Sequence, residues 1–221
     1  MKFVYAVLLV MSCNAFAAYD STWFVDHFWS GEYPRGFSVT APDTVVMGRV
    51  KADQDLARNV TCVMPYRAVI QPWNEARTRL SKITFIGFTK IVDMTVKEDF
   101  IFSDAQHHVE LKKGDVIQYL QNYGEGMFGI RVNGQRYDAD QSLFDHLEPI
   151  DELQFAEDDW LLMTCANGKR AYIYFEDLIE GKDGGVFVKG ISDVGPGMPA
   201  YGQARDLTEQ EAQELERNRP N

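Results

Sequence analysis

His27, His107, His108 and His146 are the 4 histidines of a 221-residue chain, and they are the first residues to test for chemistry. His107-His108 stands beside Asp104 and Glu110, which are the ligand types of a divalent metal site. Neighbouring residues on an extended strand point to opposite faces, so one ion does not reach both rings. Asp138, Asp140, Ser142 and Glu148 approximate a calcium loop, but Leu143 stands where that loop needs glycine and Glu148 comes one residue early. The runs Glu157-Asp158-Asp159 and Glu176-Asp177 could supply an acid–base pair of the kind that cleaves glycosides. In a chain this rich in acids, such runs belong first to solvated loops. No serine sits in a nucleophile elbow, and no glycine-rich phosphate loop is present. Neither a catalytic set nor a metal or other cofactor is therefore expected.

The remaining functional candidates are aromatic. Trp23, Trp29 and Tyr33 crowd a short segment, and Trp73 could join them. Indole and phenol rings stack on sugars and fill interface pockets, so these four are the candidate ligand-binding residues. The competing use of such rings is to cover the apolar side of the domain they precede.

The elements that must position these residues are exported ones. Lys2, the apolar run Phe3–Met11 and the small residues of Ala15-Phe16-Ala17 match a secretory signal with cleavage after Ala17. The alternative is lipidation of Cys13. The apolar run is about nine residues against the roughly 20 that a membrane helix needs, so no transmembrane segment is expected. Periplasmic or secreted residence follows. There, Cys62 and Cys165 most simply pair, closing a loop of about 100 residues. The chain carries 22 Lys and Arg against 33 Asp and Glu, a net of −11, which repels phosphate backbones and argues against nucleic-acid partners.

Residues 18–37 read as an aromatic N-terminal arm, with Trp23/His27 and Phe24/Phe28 spaced for one helical turn. Beyond it the pattern is all-β. Short β-branched runs occupy Thr44–Met47, Val60–Met64, Ala68–Ile70 and Ile83–Val96, with Gly87 as a candidate bulge. Asn74–Leu80 fits one helical turn, and Ser142–Leu147 a short helix. Asn133-Gly134 and Asn167-Gly168 each lie between two strand-like runs, the strongest local hairpin signal available. From Gly195 the apolar content drops to Leu207 and Leu215 among large aliphatics, so 192–221 reads as a flexible acidic tail. A docking helix is the alternative there.

Two segments carry a resemblance. Val109–Ile117, through Lys112-Lys113-Gly114-Asp115, is similar to a strand–turn–strand unit. Trp160, then Asn167–Ile173, then Asp177-Leu178, is similar to a closing hairpin and last strand. Both resemble bacterial SH3-like domains, and Val45–Ile70 with Arg49 and Pro65 resembles the opening half of one. Ala171-Tyr172 replaces the family's usual Gly-Trp, and Tyr66-Arg67-Ala68 replaces its glycine turn. The resemblance implies one or two small antiparallel barrels, used as binding surfaces and often in peptidoglycan work, without shared catalytic residues. The expected layout is a first unit at 38–96 and a second at 97–191, stapled by the disulfide. The alternative nests residues 97–150 inside a barrel completed by the two cysteine segments. The expected function is a non-catalytic envelope binding module for a protein or peptidoglycan. The alternatives are a carboxylate-based envelope hydrolase, or an inhibitor or assembly factor of a secreted enzyme.

Overall fold

The computed structural model describes residues 18–27, 35–72, 83–104, 107–151, 154–193 and 205–218. The expected signal and Cys13, the rings Trp29, Tyr33 and Trp73, and the Asn74–Leu80 turn lie outside the described residues. The chain is all-β, built of small antiparallel sheets. In order come β1 (Trp23–Asp26), β2 (Phe37–Val39), β3 (Val45–Gly48), β4 (Val60–Val63), β5 (Val69–Ile70), β6 (Ile83–Lys90), β7 (Val92–Thr95), β8 (Phe100–Ser103) and β9 (His108–Leu111). There follow β10 (Val116–Gly124), β11 (Met127–Val132), β12 (Gln135–Asp140), a 3-10 turn (Gln141–His146), β13 (Glu157–Thr164) and β14 (Arg170–Tyr174). Last are α1 (Phe175–Ile179), β15 (Lys182–Asp183), β16 (Val186–Phe187), β17 (Ile191–Asp193) and α2 (Glu209–Arg217). No helix among the described residues is long and apolar enough to cross a membrane.

Strand pairing divides the apolar side chains into two main cores. β6 pairs with β13 over Ile83–Thr89, and β13 with β14, in a sheet ordered β1-β6-β13-β14. Its inner face packs Phe85, Leu161, Met163 and Ile173 with Phe37, Val46, Cys62 and Met64. The second core holds Val92, Met94, Ile117, Phe128, Ile130, Tyr137 and Leu147, all from residues between β6 and β13. This inserted unit has the sheet β12-β11-β10-β7, the β8–β9 hairpin, and a closing bridge between Val96 and Leu147. The arrangement is nested. A division between 96 and 97 cuts through it, because residues 157–191 share their core with 37–85 and not with 92–147.

The disulfide follows from the same pairing. Cys62 on β4 and Cys165 just after β13 are bonded with their Cα atoms 5.2 Å apart. Both lie in one core, so the bond closes the outer unit instead of stapling one unit to the other.

The two Asn-Gly turns differ. Asn133 and Gly134 both take positive φ, 49° and 82°, forming the two-residue hairpin turn of β11–β12. In β13–β14 only Gly168 is left-handed, at φ 79°, and Asn167 donates through Nδ2 to Thr61 O at 2.9 Å, tying the turn to β4. Gly87 is no bulge. Pairing with β13 runs in register through it, and the β1 ladder ends on it in register, with Asp159 and Asp26 as its cross-strand neighbours. The irregularities fall in β10, beside Leu120 and Tyr123.

Two expectations on the termini are corrected. Trp23–Asp26 is a strand, because β6 offers a free edge whose hydrogen bonds one isolated helical turn cannot match. Residues 205–218 are docked. Thr208 and Glu211 form a capping box, and Leu207 and Ala212 are buried against Val69. Leu207 N donates to Arg67 O at 2.8 Å, and Thr40 Oγ1 donates to Glu216 Oε2 at 2.6 Å. Few apolar atoms suffice when backbone and polar anchors flank them.

Candidate binding groove

A groove in the inserted unit brings apolar and polar side chains together. The alternation of β8 buries Phe102 and leaves Ile101 64% exposed. On β12 the same alternation buries Tyr137 and Ala139 and leaves Asp138 and Asp140 in solvent. The 3-10 turn begins where Asp140 accepts from Ser142 N at 2.8 Å, and it buries Leu143 beneath. These three elements bound a cavity of about 980 Å³, which Met127 also lines. The floor is aromatic: Phe102 meets Tyr137 edge-on at 5.9 Å, and Phe100 stacks on His146 at 4.4 Å.

The histidines are tied locally. His107 Nδ1 lies 3.0 Å from Asp104 Oδ1, and its backbone N–H donates to the same oxygen at 2.7 Å. His146 Nδ1 lies 3.0 Å from Glu98 Oε1. His108 Nδ1 bonds Ser103 Oγ at 2.7 Å, a cross-strand pair. Serine–imidazole and imidazole–carboxylate contacts thus occur on adjacent residues. They fall on different histidines, so no nucleophilic relay forms. Among the described residues no group of three or more His, Cys, Asp and Glu is placed to hold a metal. Asp140 is committed to capping the 3-10 turn and Asp138 sits within β12.

The described part of the aromatic arm packs on the outer unit. Tyr19 stacks on Phe88 at 3.8 Å and meets Trp23 edge-on at 5.0 Å. Lys90 Nζ lies 5.4 Å over the Trp23 ring, which is half-buried. Trp160, wholly buried, donates from Nε1 to Tyr19 Oη at 2.8 Å. Tyr19 in turn donates to Asp158 Oδ2 at 2.9 Å, and Tyr174 and Gln54 donate to Asp158 Oδ1 at 3.0 and 2.8 Å. Burial pushes the Tyr19 and Tyr174 phenols well above their ordinary range, so both remain donors. Arg49, over the Trp160 ring at 5.4 Å, holds the 51–59 loop through Leu56 O. Tyr19→Phe strips Trp160 Nε1 of its acceptor and Asp158 of a donor. An expected loss of about 1–3 kcal/mol follows, read as a lowered unfolding midpoint.

The acidic runs are not all solvated. On β13, Asp159 shares the face of Leu161 and Met163 and lies across from Gly87. Burial, with the neighbouring charges of Glu157, Glu176 and Asp158, pushes its carboxyl up to about 8. Sequence reading missed this site. The signal was the position of Asp159 two residues before Leu161 in a strand pattern. Nearby, Arg136 donates to Asp26 at 2.9 Å and to the Tyr123 hydroxyl, and it lies over Phe24, joining the inserted unit to β1.

Comparison of the chain with protein-family models, with curated proteins and with solved structures finds no match.

Proposed function

We propose that this chain is an exported, non-catalytic binding module of the cell envelope. In this proposal the groove between β8, β12 and the 3-10 turn takes a protein or peptidoglycan ligand. The observation that carries it is a cavity of about 980 Å³ whose walls are mixed aromatic, aliphatic and acidic. Ligand sites commonly have volumes of roughly 300–1,000 Å³. An SH3-like reading of the inserted unit is supported by its order of strand, hairpin, three-stranded meander, 3-10 turn and closing bridge. Export is supported by the N-terminal signal pattern and by the Cys62–Cys165 bond, which suits an oxidising compartment.

The test is cosedimentation of the purified chain with cell-wall sacculi, run beside a pull-down from envelope extract. Ile101→Lys places a positive charge on the most exposed apolar wall. Retention of either ligand by the wild type, lost at least tenfold (about 1.4 kcal/mol) in the variant, is expected. Retention of neither by the wild type overturns the proposal.

A carboxylate-based hydrolase is the second reading, favoured by Asp159 holding its proton near neutrality beside Glu157 and Glu176. Turnover of a peptidoglycan panel that disappears in Asp159→Asn would select it over the binder.

A further inference from the structure

The groove has one wall that is a strand edge. Among the described residues β12 ends its sheet and pairs only with β11. Val132 and Gln135 flank the two-residue turn and form its closing hydrogen-bonded pair. Antiparallel alternation then assigns Ile130/Tyr137 and Phe128/Ala139 as bonded pairs, and Arg131/Arg136 and Gly129/Asp138 as non-bonded ones. The N–H and C=O groups of Arg136 and Asp138 therefore point away from β11, toward the open edge. The hairpin β8–β9 stands across the cavity, so an extended segment entering it lies between two walls instead of on a bare edge.

The side chains select what can enter. Asp138 and Asp140 lie on the solvent-facing side of β12 and line the cavity. Arg136 is already paired with Asp26, and each of His107 and His146 with a carboxylate. The unbalanced charge is negative. Ile101, Met127 and Leu143 supply the apolar side. A second copy of this edge, laid antiparallel, would bring aspartates against aspartates, which like-charge pairing disfavours.

We infer that the occupant is an extended peptide alternating cationic and apolar side chains, adding as a strand to the Arg136–Asp138 edge of β12. This rests on the binding-module reading and names its ligand. Main-chain pairing supplies affinity, and the aspartates supply selection.

The test uses the full chain and a fluorescein-labelled peptide of four Lys-Val repeats. Three comparisons accompany it: the Glu-Val counterpart, a Lys-Val peptide N-methylated on alternate amides along one edge, and the Asp138→Lys protein. Fluorescence anisotropy reads affinity, and hydrogen exchange reads the Arg136 and Asp138 amides. The expected result is binding of the Lys-Val peptide with both amides slowed. Each of the other three combinations should bind at least tenfold more weakly. Equal binding of the methylated peptide overturns strand addition, and equal binding of the Glu-Val peptide overturns the charge selection. Failure of the Lys-Val peptide in a protein that still retains sacculi or an envelope protein overturns this inference alone. Failure of every ligand removes the binding-module reading with it.

Discussion

Replacing Cys62 and Cys165 together with alanine lowers the unfolding free energy by about 3–4 kcal/mol. The bond spans 103 residues, and the chain-entropy relation for roughly 100 residues gives about 4.7 kcal/mol. Nesting reduces that figure. The loop contains the inserted unit, whose ends are held together by the Val96–Leu147 bridge and by a core of its own. If that unit stays folded while the outer one opens, the flexible part of the loop is about half as long. Halving a loop removes about 0.6 kcal/mol of closure entropy. Both cysteines are buried, at 0% and 3% exposure, so the alanine pair also leaves a small void. Against a typical stability of about 5–15 kcal/mol, this is a large fraction. Denaturant titration of the oxidised wild type and the double variant measures it. An unchanged midpoint would contradict the placement of both cysteines in one core.

The second large effect is on pH dependence. The Asp159 carboxyl is raised to about 8 in the folded chain, first by burial and then by Glu157, Glu176 and Asp158, from an ordinary 3.8. The folded state therefore keeps a proton that the unfolded state has lost. Stability is fully present below about pH 4, falls as pH rises toward 8, and levels off above it. The full rise corresponds to about 6 kcal/mol, and water reaching the partly buried side chain brings the expected loss across that window below that figure. Asp159→Asn removes the ionisation and keeps the shape. The variant should match the wild type near pH 4 and exceed it in thermal midpoint at pH 8.5. Parallel curves for the two proteins across pH 4–9 would show that the carboxyl is solvated. The face shared with Leu161 and Met163 makes that outcome inconsistent with the observed register.

Much of this architecture was legible in local sequence. Asn133-Gly134 sets its hairpin because both residues tolerate left-handed backbone, and the alternation of Phe128, Ile130 and Val132 before it marks the first strand. The disulfide was expected from the pairing of Cys62 with Cys165, the two thiols left once Cys13 is assigned to a signal segment. The nested order was harder to read, since the β6–β13 pairing joins Ile83 to Met163 across the whole inserted unit, and periodicity says nothing about such partners. The segments Val45–Ile70 and Trp160–Ile173 share one core, and the cysteine that each holds was the clue.

The misread pieces share a cause. Trp23/His27 spacing is helical in isolation, but an open sheet edge overrides so short a preference. Residues 205–218 lack a broad apolar face. Their docking uses Leu207, Ala212 and Leu215 with hydrogen bonds to Arg67, Tyr66 and Thr40, and no hydrophobic pattern reveals these. The groove was invisible for the same reason. Ile101, Tyr137 and Leu143 are ordinary strand and turn residues until the β8–β9 hairpin is folded across β12.

The groove and the aromatic arm make opposite demands on one measurement. Affinity of the purified chain for whichever envelope ligand it retains is compared for Ile101→Lys and Trp23→Ala. Loss confined to Ile101→Lys, with Trp23→Ala binding normally and only its melting point lowered, is the result expected. Loss confined to Trp23→Ala would place recognition on the arm and contradict it.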